Sequence, residues 1–280
     1  MIRSSLVARW ALGLMVLLAG SASLPAVDLY VTGFDFNTQR NVFGKVDSAS
    51  LVYSQLNSDI GGNGITYTSG LAWNPNISQF NMLRDDGTFS TITTTGTMGS
   101  VASGLTNGSL SYNPASSTMY SVKGSALNTV NPATGAQSNI GSPGVSRVNG
   151  SAFVNGTMYG TTRISAGSSG SNYYYGSFNL GTGAFTAITL SNDSTYNFLR
   201  LAYDGTTLFG LNNAGSLYTL NPTTGAYTGL GTVTGIPSGQ FTFSAMSVPV
   251  TVPEPSTYAL AAIATGVMAA IARRRKARRA

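Results

Sequence analysis

Between residues 27 and 250, apolar and polar positions alternate in short runs, broken by Gly, Asn, Asp, Ser and Thr. That period of two, with turn residues between runs, predicts β-strands joined by tight hairpins. The clearest unit spans Leu201–Val233 and divides into strands at Leu201–Tyr203, Thr207–Leu211, Ser216–Leu220 and Tyr227–Leu230. Asp204-Gly205, Asn212–Gly215 and Asn221-Pro222-Thr223-Thr224-Gly225 separate them. In the last of these turns Pro sets φ for a type I turn, and Gly takes the left-handed position that closes the hairpin. Asn131-Pro132-Ala133-Thr134-Gly135 repeats this solution, and Asn179-Leu180-Gly181-Thr182-Gly183 varies it.

Landmarks recur at propeller-like or solenoid-like intervals. A small residue precedes a bulky one at Ala72-Trp73, Ser111-Tyr112, Ala152-Phe153, Ala202-Tyr203 and Ala245-Met246, at spacings of 39, 41, 50 and 43. Aromatics follow at Phe80, Tyr120, Tyr159 and Phe209, with Tyr30 ahead of them. Thr-Gly recurs at Thr95-Gly96, Thr134-Gly135, Thr182-Gly183 and Thr224-Gly225. The small residues suit an inner strand near a ring axis, and the aromatics suit packing between blades.

Four strands in a unit of about 40 residues predict an all-β fold, a β-propeller. The chain starts out of phase. Leu29–Phe34, Val42–Val46 and Leu51–Leu56 match the second, third and fourth strands of a unit, and the missing first strand appears at Phe243–Val248. Five blades are expected, one shared between the two ends of the body, so that the ring closes without a free edge. Complete units start near Leu71, Leu110, Ser151 and Leu201, the third stretched by a Gly/Ser-rich loop at Ser165–Asn172. A β-sandwich is the runner-up; it leaves the repeats and the phase shift unexplained.

The ends have a different character. Arg3 and Arg9 precede an apolar run, Trp10–Ala19, and then Gly20-Ser21-Ala22. This pattern predicts a secretory signal peptide over 1–26, cut by signal peptidase at Ala22 or Ala26. The body follows at 27–250 and a terminal segment at 251–280. In the last segment Val252, Pro253, Glu254, Pro255 and Ser256 lead into Thr257–Ala272, which carries no charge. Arg273, Arg274, Arg275, Lys276, Arg278 and Arg279 end it. As a helix, Ser256–Ala272 reaches roughly 25 Å, short of a hydrocarbon core of about 30 Å. Snorkelling basic side chains make up the difference, and the positive-inside rule holds them in the cytoplasm. Pro253 and Pro255 keep the segment before the run extended.

Those three elements, in that order, resemble the PEP-CTERM sorting signal. The resemblance implies processing by an exosortase-type membrane enzyme near Pro253-Glu254-Pro255, with those residues recognised rather than catalytic. It also implies export across the inner membrane, a transient anchor, and release to the cell surface or an extracellular, exopolysaccharide-rich matrix.

Charge changes the picture only near the ends. The chain carries 15 Lys and Arg against nine Asp and Glu. Six of the basic residues lie in the last eight positions and two in the signal segment, so the body holds seven basic and eight acidic residues. A nucleic-acid partner is therefore not expected. There is no Cys or His, and Glu254 is the single Glu. Disulfides, the commonest metal ligand and the commonest general base are thus missing from the sequence. No catalytic, metal-binding or cofactor-binding residue is predicted. Asp85-Asp86-Gly87 reads as hairpin chemistry. Tyr173-Tyr174-Tyr175 could stack on sugar rings, but alternation predicts that Tyr173 and Tyr175 pack into the blade. The expectation is a non-enzymatic structural or binding module associated with extracellular polysaccharide. The alternative is a secreted propeller hydrolase or lactonase, which three or more Asp or Asn side chains converging on the axis would favour.

Overall fold

The turn that the sequence repeats most faithfully is built the same way three times. Asn131, Asn179 and Asn221 each accept, at Oδ1, the backbone N–H groups two and three residues on, at 2.8–3.2 Å. Each backbone carbonyl accepts the N–H of the Gly four residues on, at 2.7–2.8 Å. Those glycines, Gly135, Gly183 and Gly225, have φ of 73°, 79° and 73°. Asn thus supplies the local hydrogen bonds and Gly the left-handed backbone.

The structure is a computed structural model describing residues 26–61, 67–165, 171–191, 199–237 and 241–250. The expected signal segment up to residue 25 and the whole terminal segment, 251–280, lie outside the described residues. Among the described residues twenty strands follow in chain order. The first seven are β1 (Asp28–Asp35), β2 (Arg40–Asp47), β3 (Tyr53–Asn57), β4 (Thr68–Asn74), β5 (Gln79–Arg84), β6 (Phe89–Ile92) and β7 (Met98–Ala102). Then come β8 (Ser109–Asn113), β9 (Thr118–Lys123), β10 (Ala126–Val130), β11 (Gln137–Gly141), β12 (Arg147–Val154), β13 (Thr157–Ser165), β14 (Ser171–Phe178) and β15 (Phe185–Ser191). The last five are β16 (Arg200–Tyr203), β17 (Leu208–Leu211), β18 (Ser216–Leu220), β19 (Tyr227–Thr232) and β20 (Phe241–Ser247).

They form five four-stranded antiparallel sheets, and the first has the order β20-β1-β2-β3. The protein is a five-bladed β-propeller, with its first blade completed by the C-terminal strand of the body. Register runs from Tyr30 opposite Ser247 to Asp35 opposite Phe241. A second clasp, not foreseen, joins the same two ends: Val52 bridges Thr234, Tyr53 N–H donates to Thr234 O at 2.8 Å, and Thr234 N–H donates to Leu51 O at 2.8 Å.

The inner strands β4, β8, β12, β16 and β20 touch in cyclic order around the axis. Close approach there demands small residues. A Cβ at Gly70 would lie 2.5 Å from Leu110 N, and one at Gly150 would lie 2.5 Å from Leu199 O. The first landmark behaves as expected: Ala72, Ser111, Ala152, Ala202 and Ala245 are all buried. Five apolar clusters fill the five gaps between adjacent blades.

The aromatics of the second landmark pack between blades as expected, but not all in one phase. By register Asn81, not Phe80, stands opposite Ala72, whereas Tyr120, Tyr159 and Phe209 stand opposite Ser111, Ala152 and Ala202. A one-residue shift reverses the face of a strand residue. Phe80 therefore packs back onto the first blade, its ring 4.8 Å from Tyr30 and 5.8 Å from Phe43. Tyr120 instead packs forward on Phe153, at 5.3 Å. In the fourth blade β13 and β14 are paired as far as Ser165 opposite Ser171, and residues 166–170 of the expected Gly/Ser-rich loop lie outside the described residues.

Candidate functional site

The residues named for sorting, Val252–Ser256 and the basic cluster from Arg273 to Arg279, lie outside the described residues. The described body offers one place where several blades converge, the axis. Three inner strands bulge there at the same level. The ladder skips Ser69 in β4, Asn149 in β12 and Ser244 in β20. A bulge re-aims one side chain and interrupts pairing.

Around these bulges lies a cavity of about 10 Å³, lined by backbone and by Ser69, Ser109, Asn149, Ser151 and Arg200 among others. That is room for about one water-sized atom. Most hydroxyls here are engaged. Ser151 Oγ shares hydrogen bonds with Ser109 Oγ at 2.8 Å and Ser111 Oγ at 2.6 Å. Ser69 Oγ donates to Leu83 O at 3.1 Å and accepts Gly108 N–H at 3.3 Å. Asn149 differs: it is 5% exposed, and neither end of its amide has a hydrogen-bond partner. Arg200 donates from Nε to Ser244 O. Burial, and then the charge of Arg147, pull its guanidinium down to about 9, while Asp85 acts the other way.

The charges gather at one end of the axis. Six of the body's seven basic residues, Arg40, Arg84, Lys123, Arg147, Arg163 and Arg200, fall at strand ends on the face where the inner strands begin. Arg147 stands directly opposite Arg163, and Arg163 opposite Tyr173. Lys123 Nζ donates to Asn107 Oδ1 at 2.6 Å, and Asn107 Nδ2 donates to Asp85 Oδ1 at 3.1 Å. Arg40 pairs with Asp59, and Arg84 with Asp86 at 3.6 Å.

The other residues singled out in the sequence fall where local chemistry places them. Asp86 closes the β5–β6 hairpin by accepting Thr88 N–H at 2.9 Å, with Gly87 at φ of 78°. Tyr175 is fully buried, its hydroxyl donating to Pro222 O of the next blade at 3.1 Å. Tyr173 packs, half buried, against the same cluster. Among the described residues no three Asp or Glu side chains come together as a metal site would need. The axial lining includes one Asn and no Asp. Sequence reasoning missed the basic mouth because a near-zero net charge hid its segregation. The signal was there in Arg147 and Arg200, which open inner strands, and in Arg84 and Lys123, which close the antiparallel strands beside inner ones.

Residues 251–276 match the PEP-CTERM protein-sorting motif. The PEP-CTERM match covers the terminal segment read above, and it marks the chain as exported, exosortase-targeted and bearing a C-terminal membrane-anchoring sorting signal. Comparison with curated proteins finds no match. Among solved structures, a nidogen/laminin complex is similar at TM-score 0.50 and 11% identity, covering 74% of this chain and 79% of that one. TolB from Acinetobacter baumannii is similar at TM-score 0.46 and 15% identity, covering 74% of this chain and 53% of that one. At such identities the likeness concerns the fold alone.

Proposed function

We propose that the mature protein is a non-enzymatic propeller module of the cell surface or extracellular matrix, held in association with exopolysaccharide. The observation that carries this reading is the sorting motif at 251–276 fused to a closed propeller. The axis supports it. Its lining is Gly, Ser, Ala, Leu and Met with one Asn and one Arg, without an arranged acid–base pair, and proton transfer needs such groups within hydrogen-bond reach of a substrate.

The test has two arms. Fractionation of a culture should place the protein with the extracellular polysaccharide, and enzymatic removal of the polymer should release it. Purified full-length protein should turn over no ester, lactone, glycoside or phosphate, with or without calcium. Turnover that disappears on substituting a single Asp would establish the hydrolase or lactonase reading instead.

A further inference from the structure

The inner strands end on the face opposite the basic mouth, at Asn74, Asn113, Val154, Tyr203 and Ser247. The first four turn there into the second strands of their blades, and the fifth leads to the terminal segment. Tyr30 stands opposite Ser247, so Val27 and Asp28 lie at that end as well. Both ends of the body therefore leave the ring by one face, near its axis. Two blades flank the exit. Trp73, in the inner strand of the second blade, donates its backbone N–H to Ser247 Oγ at 2.9 Å. Val250 Cγ1 lies 3.9 Å from where a Cβ on Gly205, in the first hairpin of the fifth blade, would stand.

The four hairpins on this face, 74–79, 113–118, 154–157 and 203–208, hold a single charge, Asp204. Its carboxylate accepts Thr206 N–H at 2.7 Å and Thr207 N–H at 2.6 Å. At the same end Asp28 pairs with Lys45 at 2.7 Å, and Asp47 accepts Ser50 N–H at 2.6 Å. Ile77, in the β4–β5 hairpin, is 45% exposed. Polar hairpins with one apolar tip suit the headgroup layer of a bilayer, because seating them there strips no lone charge of water.

The charge-free run begins at Thr257, so only residues 251–256 separate it from Val250. That is seven Cα–Cα steps, which reach roughly 25 Å at full extension. To lay the opposite face on a membrane, this link would have to run from the axis out to the rim and then along the height of a blade. Three strand spacings and an inner strand of about six residues make that path roughly 34 Å. The link is too short for it.

We propose that the protein, while it still bears its tail, rests on the bilayer surface through this hairpin face, with Ile77 at the headgroup layer and the basic mouth turned outward. The short link between Val250 and the charge-free run holds it so. The inference rests on the anchoring signal and not on the matrix reading.

The test uses the full chain, expressed in an exporting host without an exosortase so that the tail stays in place. It is reconstituted in phosphatidylcholine vesicles containing a lipid with a nitroxide on its headgroup. The chain has no cysteine, so a bimane fluorophore can be placed at one site at a time. Ile77→Cys and Ser116→Cys label the hairpin face, and Ala214→Cys, exposed in the β17–β18 turn, labels the opposite one. Variants that melt with the parent protein are compared. Quenching by the nitroxide should be several-fold stronger at Ile77 and Ser116 than at Ala214. Equal quenching on the two faces, stronger quenching at Ala214, or protein that does not stay with the vesicles overturns the proposal. An insert of about 20 Gly and Ser residues after Val250 adds up to roughly 70 Å of reach and should level the difference. A difference that survives the insert overturns the short link as its cause. Each of these results leaves the matrix reading to its own test by fractionation.

Discussion

Gly225 shows how far a single residue can be read. The sequence placed it in a left-handed turn position, and its φ is 73°. What the sequence could not show is its second constraint: a Cβ there would lie 2.8 Å from Tyr175 Cδ1 and 2.8 Å from Thr189 Oγ1 of the preceding blade. Gly156 provides the comparison, with φ of 83° and nothing within 4 Å of the same construction. Gly156→Ala should cost only the left-handed penalty, about 1–2 kcal/mol. Gly225→Ala should cost that and about 1–3 kcal/mol of overpacking besides. Denaturant unfolding of both variants measures the difference, and equal losses would show that the turn does not bear on its neighbour. Leu51 was illegible for the opposite reason. It holds the corresponding turn of the first blade at φ of 58°, where Gly or Asn is expected, and its side chain packs on the cluster between the last and first blades.

Strands were legible wherever the alternation was unbroken. Ser216–Leu220 was placed residue for residue, and the fourth strand of that blade runs two residues beyond the expected end. The Phe80 phase was not legible, because spacing along the chain does not report which residues face each other across a hairpin. Bulges escaped for the same reason, being properties of a pair of strands. β20 is the element on which the architecture turns. Phe243, Met246 and Val248 join Leu29, Val31 and Phe209 in one cluster. Removing residues 240–250 would expose that cluster and the edge of β1. Single large-to-small changes in such a core cost about 2–5 kcal/mol, and a whole domain holds about 5–15 kcal/mol. The truncated protein should therefore lose its cooperative thermal transition or melt far lower. An unchanged melting temperature would mean that the ring does not depend on its shared blade.

At the scale of the molecule, the phase shift between the two ends of the body was enough to predict closure, because a ring leaves no unpaired edge. The candidate site was not legible as a site. Arg147, Arg163 and Arg200 are spread over 54 positions of sequence, and only the antiparallel order of strands brings them to one face. The terminal segment is the reverse case, since its meaning is local: Pro-Glu-Pro, an apolar run and a basic stop are contiguous. The central claim is that this segment delivers the propeller and is then removed. Its most direct test is mass spectrometry of the protein recovered outside the cell. The account predicts a C-terminus close to Val252–Ser256 with no peptide from Arg273–Ala280, and a full-length membrane-held form when Pro253-Glu254-Pro255 is changed to alanines. Recovery of an intact Arg273–Ala280 tail on the released wild-type protein would contradict it.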